Sequence, residues 1–522
     1  MNVTNSSAFL LLLAFFDILI SARSDKILGI FIIRSKSHHI INQAVMEGLH
    51  ARGHEVTIIS HFKSEQVTPN YTEILLSEEV QSFVDSVAVD DRVHLDGIMN
   101  EINLIYTLEK SSCDDVFSLD YIKRLIVNSE KKTIDLIIAE VYNIRCLHLL
   151  AHKLNVPLIA VSPATILSGV DYMIGNPYNP AVTPLLLSSR TLRMNFIERL
   201  QNALEYAVTY WYLSYMFNRD METYARDVFR MDLPPEDELK RRTALVLYNN
   251  HFSFMARLKS PNAIDIAGIH IKEPNKLPKD IEDFIQASDD GVILFSFGST
   301  IKASSMSEEN LKIIVDTFSK VPQKFLWRVD QLNITEVPSN VKLGTWFPQR
   351  DILEHKNVIA FISHCGLIGS LEAIHTSTPV IGMPIMFDQF QNAKILVEHG
   401  IGIYVDYYNM RENTLLNAIT EITINPKYKQ NVQKLSDIFK DRPMSPLNET
   451  LYWTEYVLKH KGAPHLRPQS ADMPLYQYVL LDVLAVLLGI IIAVMYLCKY
   501  SFKITFAAID RIRTNEKKTP LS

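Results

Sequence analysis

Residues Thr345 to Asn392 read TWFPQRDILEHKNVIAFISHCGLIGSLEAIHTSTPVIGMPIMFDQFQN. Two apolar runs in this stretch, Val358 to Ser363 and Pro379 to Met383, have the length of buried strands, and the segment from Gln389 to His399 suits a helix. Strands that alternate with helices form a parallel α/β sheet, and such a sheet binds ligands in the loops beyond the carboxyl ends of its strands. Trp346 and Gln349 ahead of the first run, and His364, Gly366, Glu372, Asp388 and Gln389 behind one run or the other, are spread over loops of this kind.

The same alternation continues upstream. A strand is predicted from Val292 to Phe297, a helix from Glu308 to Lys320 and a strand from Phe325 to Val329. Near the start, Ile27 to Ile33 is a continuous apolar run suited to a strand buried on both faces. A polar loop from Arg34 to His39 follows, then a helix with Ile41, Val45, Gly48 and Leu49 on one face, which stops at Arg52-Gly53 before a strand from Val56 to Ile59. This βαβ unit lacks a Gly-x-Gly-x-x-Gly loop, so the ordinary dinucleotide fingerprint is absent. A second unit runs from Ile134 through a helix near Cys146 to a strand from Val156 to Val161. The region from Asn176 to Arg241 reads mostly as helix, either pocket wall or membrane-proximal packing. Lys272 to Asp290 turns polar and carries Pro274 and Pro278, as a linker does. Two α/β domains with a cleft between them are the expected architecture.

A chain of 522 residues exceeds one ordinary core, and 48% apolar with 21% charged residues suits a packed globular body. The formal charge of -6, with no basic block outside the tail, gives no footing for nucleic acid. Four cysteines, Cys113, Cys146, Cys365 and Cys498, are too few and scattered for a disulfide framework or a zinc site. No metal is expected. Residues 1–23 read as a signal peptide, with an apolar run from Ala8 to Ile20 followed by Ser21-Ala22. From Leu475 to Cys498 the chain is apolar enough to span a bilayer, Asp482 being the only charge. The tail beyond carries Lys499, Lys503, Arg511, Arg513, Lys517 and Lys518 against Asp510 and Glu516, which places it in the cytosol and the body on the opposite side. Triplets at Asn70, Asn333 and Asn448 fit glycosylation there.

Chemistry-bearing residues sit at the expected loop ends. His38 follows the first strand, and an imidazole there suits a general base. Taken alone, such a histidine is more often a surface residue. Glu140 ends a strand on the same rim and can fix the imidazole's tautomer, although it could equally stabilise a helix N-terminus. Ser299, in the turn Gly298-Ser299-Thr300, lets backbone N–H groups approach an anion. His364 and Gly366 precede a helix whose N-terminus suits a diphosphate, and Glu372 within it suits a ribose diol. Trp346 offers a flat wall to a base with Gln349 beside it, against the plainer reading of a packing tryptophan. Asp388 and Gln389 offer donors and acceptors to sugar hydroxyls, against a simple helix cap by Asp388.

The block from Trp346 to Asn392 resembles the donor-binding signature of the UDP-glycosyltransferases. The similarity extends through Phe295-Ser-Phe-Gly-Ser299, Phe325-Leu-Trp-Arg328, Asp441-Arg-Pro443 and His460-Lys-Gly-Ala463. Arg52-Gly-His-Glu-Val56 and the C-terminal anchor resemble the membrane-bound animal branch, and Ser37-His-His39 its arthropod members. The resemblance implies a GT-B fold of two Rossmann-like domains. Residues 24–271 would bind the acceptor, 272–290 would link, and 291–460 would bind the UDP-sugar, ahead of a membrane-proximal segment at 461–474, a span at 475–498 and a tail at 499–522. It also implies that Trp346 stacks on uracil beside Gln349, that Ser299, His364 and Gly366 surround the diphosphate, that Glu372 binds ribose and that Asp388 and Gln389 bind the sugar. His38 would be the base and Glu140 its partner.

Three positions depart from the family pattern. Glu140 stands where Asp is common, Cys365 replaces the first glycine of a His-Gly-Gly turn, and Ile368 stands where many vertebrate relatives have Asn. The implied reaction is inverting, metal-independent transfer of glucose or glucuronate from a UDP-sugar to a hydroxyl of a small lipophilic acceptor, with arthropod-like features leaning toward glucose. No cofactor beyond that co-substrate is implied, and a homo-oligomer is compatible with the resemblance. Residence in the endoplasmic reticulum membrane, single-pass with a lumenal body, is expected. The alternative is a membrane-tethered small-molecule binding protein that keeps the fold without catalysis.

Overall fold

Gly53 ends the first helix because only a residue free to adopt positive φ continues the chain there. Its φ is +93°, and its N–H returns to the carbonyl of His50. The computed structural model describes residues 24–63, 68–76, 87–88, 98–165, 168–176, 179–186, 188–331, 334 and 336–516. The signal-peptide reading, Asn333, Lys517 and Lys518 lie outside them.

Seven strands form the first sheet: β1 (Lys26–Phe31), β2 (Glu55–Ser60), β3 (Tyr71–Leu75), β4 (Leu136–Glu140), β5 (Leu158–Ser162), β6 (Thr243–Tyr248) and β7 (Ala263–Asp265). Their order is β3-β2-β1-β4-β5-β6-β7, with every pairing parallel. Six strands form the second: β8 (Val292–Ser296), β9 (Lys324–Arg328), β10 (Val341–Gly344), β11 (Val358–Ser363), β12 (Val380–Gly382) and β13 (Gly402–Tyr404). Their order is β10-β9-β8-β11-β12-β13, again all parallel. Both sheets therefore have the doubly wound order, which reverses between β1 and β4 in one and between β8 and β11 in the other. Those switch points leave a crevice at the strands' carboxyl ends.

Burial on both faces follows from the alternation of side chains along each strand. Leu28 and Ile30 enter the core on one side of the first sheet, Ile27 and Phe31 the core on the other. In the second sheet Ile293 and Phe295 face one core, Val292 and Leu294 the opposite one. The helices relevant to the site are α1 (Lys36–Ala51), α2 (Ile98–Ser118), α3 (Ile144–Leu154), α4 (Phe196–Asp227), α5 (Leu367–His375) and α6 (Gln389–Glu398).

Several features differ from the sequence reading or extend it. The helical region is dominated by α4, whose start is fixed by a capping box of Asn195 and Glu198. The run Thr243 to Tyr248, which adds β6, is wholly buried. The expected linker contains a helix, Lys279–Gln286, whose Ile281 and Ile285 belong to a core of the second sheet. A helix near the end of the body, α7 (Pro446–Lys459), sends Leu451, Val457 and Leu458 into a core of the first sheet. It lies so close to α1 that a Cβ on Gly48 would come 2.6 Å from the Cδ1 of Leu447. Cys113 and Cys146 form a disulfide between α2 and α3. Two cysteines 33 residues apart carry no pairing signal until the fold brings the helices together.

The chain after Pro468 is a separate unit. It contains α8 (Leu481–Glu516), of which Leu481–Thr514 is long and apolar enough to cross a membrane, with none of its most apolar stretch buried. The helix begins six residues beyond the expected Leu475, which belongs to the short helix Leu475–Tyr478.

Candidate active site

His38 lies in the first turn of α1 rather than in a loop, because the helix starts at Lys36 with Ser35 in the capping position. Glu140 is the last residue of β4 and is completely buried. The switch point between β1 and β4 brings the two together, with Nδ1 of His38 2.6 Å from Oε1 of Glu140. Asn42, one turn along α1, donates from Nδ2 to Oε2 of Glu140 at 3.3 Å. The ring of Tyr142 stacks on that of His38, with centroids 5.8 Å apart. Glu140 makes no capping bond to the turn that follows it. The neighbouring His39 packs against Phe62, and its pKa falls to about 4 through burial and the charge of Lys36. Only one histidine of the pair thus has a carboxylate partner.

Across the cleft, β8 runs into Gly298, whose φ of +75° turns the chain sharply. A Cβ there would lie 2.6 Å from Cε1 of His364, and one on Gly366 would lie 2.5 Å from Nε2 of the same ring. The imidazole is therefore held between two glycines. Burial lowers its pKa to about 4, with the charge of Arg328 adding to the fall and a backbone contact at Ser296 opposing it, so it is neutral at physiological pH. Arg328 is buried, and it donates from Nη1 to the carbonyl of Gly298 and from Nε to that of Thr345. It joins the Ser299 loop to the Trp346 loop.

Trp346 is 65% exposed, so its indole is a free wall rather than a packing residue. Gln349 donates from Nε2 to Oε2 of Glu372 at 2.6 Å, and His270 lies 3.7 Å from the other carboxyl oxygen. Burial pushes the pKa of Glu372 up to about 7, against the Gln349 hydrogen bond and the charge of Arg350. Asp388 does not cap α6; it accepts from Nδ2 of Asn392 at 2.8 Å. Burial raises its pKa, while the Asn392 bond and the charge of His38 act in the opposite sense. Gln389 accepts with Oε1 from the N–H groups of Ile385 and Met386, which leaves its Nε2 as the end available to a ligand.

Cys365 takes φ of +63°, a conformation that costs a side-chain-bearing residue about 1–2 kcal/mol. Its buried Sγ lies over Gly382, where a Cβ would approach it to 2.6 Å. Ile368 lines the cavity and also packs against a core of the first sheet.

These groups surround one cavity of about 860 Å³. His38, Ser299, Trp346, Gln349, His364, Gly366, Glu372, Asp388 and Gln389 all line it, and Glu140 stands behind His38. Sequence reasoning missed Asn42, Tyr142, His270 and Arg328. Gly298 was visible only as a single glycine, although its positive φ and closeness to His364 are what the turn requires. Among the described residues no group of three or more His, Cys, Asp or Glu side chains is arranged to hold a metal ion.

The family model described as UDP-glucoronosyl and UDP-glucosyl transferase matches residues 25–518. The chain belongs to the UDP-glycosyltransferase family. UDP-glucosyltransferase 2 of Dactylopius coccus is 34% identical over 95% of this chain and 96% of its own length. UDP-glucuronosyltransferase 2B7 of Homo sapiens is 30% identical over 88% and 90%. Among solved structures, the calicheamicin glycosyltransferase CalG4 superposes with a TM-score of 0.57 at 14% identity, covering 83% of this chain and 98% of its own, which shows a shared fold. As a UDP-glycosyltransferase of GT-B fold, the chain is an enzyme that transfers sugar from a UDP-sugar to an acceptor.

Proposed function

We propose that the transfer is inverting and metal-independent, and that it delivers glucose or glucuronate to a hydroxyl of a small lipophilic acceptor. The observation that carries this reading is the 2.6 Å bond between Nδ1 of His38 and Oε1 of Glu140. With Nδ1 engaged by a carboxylate, Nε2 is the nitrogen that takes the acceptor's proton as the acceptor oxygen attacks the anomeric carbon. The bond from that carbon to UDP breaks on the opposite face, and UDP departs as the diphosphate. Developing charge meets N–H groups at the start of α5, the Ser299 loop and a neutral His364, all of which stabilise by hydrogen bonding and fixed dipoles. Trp346 and Gln349 hold the base, Glu372 the ribose, Asp388 and Gln389 the sugar. Ile32, Val170, Met173, Leu185 and Phe217 give the first-domain side of the cavity an apolar lining suited to a lipophilic acceptor.

The disulfide between Cys113 and Cys146 favours a body in an oxidising compartment. Exposed Asn70 and Asn448 and the apolar α8 fit a lumenal body anchored in the endoplasmic reticulum membrane. His38→Ala tests the mechanism: release of UDP with a phenol should fall to background while UDP affinity stays intact. Retention of most turnover would sink the assignment. A protein that binds UDP-sugars yet releases no UDP with any phenol and either donor would instead be a binding protein.

A further inference from the structure

The apolar side of the cavity contains a carboxyl group for which the mechanism has no use. Glu109 lies on α2, lines the cavity and is only 6% exposed. Its carboxyl group faces the backbone N–H of Arg145, near the start of α3, and among the described residues its Oε1 has no hydrogen-bond partner. Burial pushes its pKa up to about 8 in spite of that N–H and the charge of Arg145. The guanidinium of Arg145 lies 4.3 Å above the ring of Phe217, so this wall is fixed by stacking as well as by helix packing. Thr209 on α4 also lines the cavity, and its Oγ1 too is buried with no partner among the described residues.

A buried acceptor left unpaired is costly, and a site built this way rejects a ligand that cannot satisfy it. Two orphaned oxygens on facing helices of one cavity point to a ligand group rather than to packing. An ammonium is disfavoured by Arg145 beside it. A hydroxyl both donates and accepts, so it pairs with the carboxyl in either protonation state.

We propose that Glu109 is an acceptor-specificity residue, its Oε1 taking a hydrogen bond from a second hydroxyl at the end of the acceptor away from the one that receives the sugar. This rests on the reading of the cavity's first-domain side as the acceptor site. The preferred acceptors are then two-ended, an apolar body with a hydroxyl at each end.

The test uses full-length protein in membranes and three acceptor pairs of increasing length: hydroquinone against phenol, dihydroxybiphenyl against hydroxybiphenyl, and dihydroxystilbene against hydroxystilbene. The readout is the ratio of kcat/KM within each pair, where two equivalent hydroxyls alone give a factor of about two. For at least one length the wild-type ratio should reach about tenfold or more. It should collapse toward the statistical factor in Glu109→Met, chiefly through KM of the diol, and survive in part in Glu109→Gln, which keeps an acceptor oxygen. A wild-type ratio near two for all three pairs, or an unchanged ratio in Glu109→Met, overturns the proposal. The wild-type ratios decide even where the Met variant fails to fold. Absence of turnover with every phenol and both UDP-glucose and UDP-glucuronate overturns the parent reading and this one with it.

Discussion

His38 and Glu140 are 102 residues apart in sequence and 2.6 Å apart in the fold. Glu140, one methylene longer than the Asp common in the family, reaches His38 with one oxygen, and Asn42 holds the other from one turn along the helix that carries His38. One helix therefore carries both His38, the proposed base, and the group that holds its carboxylate partner.

Replacement of Glu140 by Gln should keep this shape and lose the chemistry. The amide can donate to Nδ1 and so favour the tautomer whose Nε2 carries the proton, which is the wrong form for a base. A tautomer defect of this kind lowers kcat by about 10⁴. UDP release with a saturating phenol, set beside UDP affinity by calorimetry, checks it. A fall of less than tenfold would show that Glu140 does not orient the base. Asn42→Ala should cost less, because it frees one carboxyl oxygen and leaves the other bound to His38.

Donor affinity should rise with pH. In the proposed role, Glu372, with its pKa near 7, would accept the ribose hydroxyls best when ionised, so a bound donor would favour the charged form. The ionised fraction climbs about tenfold between pH 6 and pH 8, and affinity for UDP-glucose should follow. His364 and His270, each held near pKa 4 by burial, stay neutral throughout and add no slope. Calorimetry with UDP-glucose across that range should give a rising curve for wild type and a flat one for Glu372→Gln. Equal slopes would remove Glu372 from the donor site.

Cys365 and Gly382 should be energetically coupled. A methyl on Gly382 would sit 2.6 Å from Sγ of Cys365 and 3.4 Å from Cβ of Ala393, so Gly382→Ala should destabilise by about 1–3 kcal/mol through overpacking. In a Cys365→Gly background the nearer obstacle is gone and the left-handed backbone is relaxed, so the same change should cost less than half as much. A double-mutant cycle on thermal unfolding reads the coupling directly. Strict additivity would mean that the Sγ is not what confines Gly382.

Much of this was legible in the sequence for a physical reason. Strands buried on both faces leave unbroken apolar runs, so β1, β8 and β11 and the loops after them could be placed, and with them His38, His364 and Gly366. What stayed hidden depends on distant contacts. Arg328 looks like a strand residue until its guanidinium is seen joining the carbonyls of Gly298 and Thr345. Asn42 is one more polar residue on an amphipathic helix until Glu140 arrives beside it. The helix α7 follows the second sheet in sequence yet completes a core of the first, because its apolar face fits over Gly48.

The disulfide gives the last prediction. It closes a loop of 33 residues between α2 and α3, a constraint worth roughly 3–4 kcal/mol by chain entropy. Both helices contribute to the cavity wall through Glu109 and Arg145, so opening the bridge should loosen the proposed acceptor side first. Cys113→Ser with Cys146→Ser should lower the melting temperature by several degrees and raise KM for a phenol more than KM for UDP-glucose. The loops proposed to hold the donor follow strands of the second sheet and carry no part of the bridge. An equal rise in both constants would show that the two halves of the body respond as one unit, and that the bridge supports the whole fold rather than the acceptor wall.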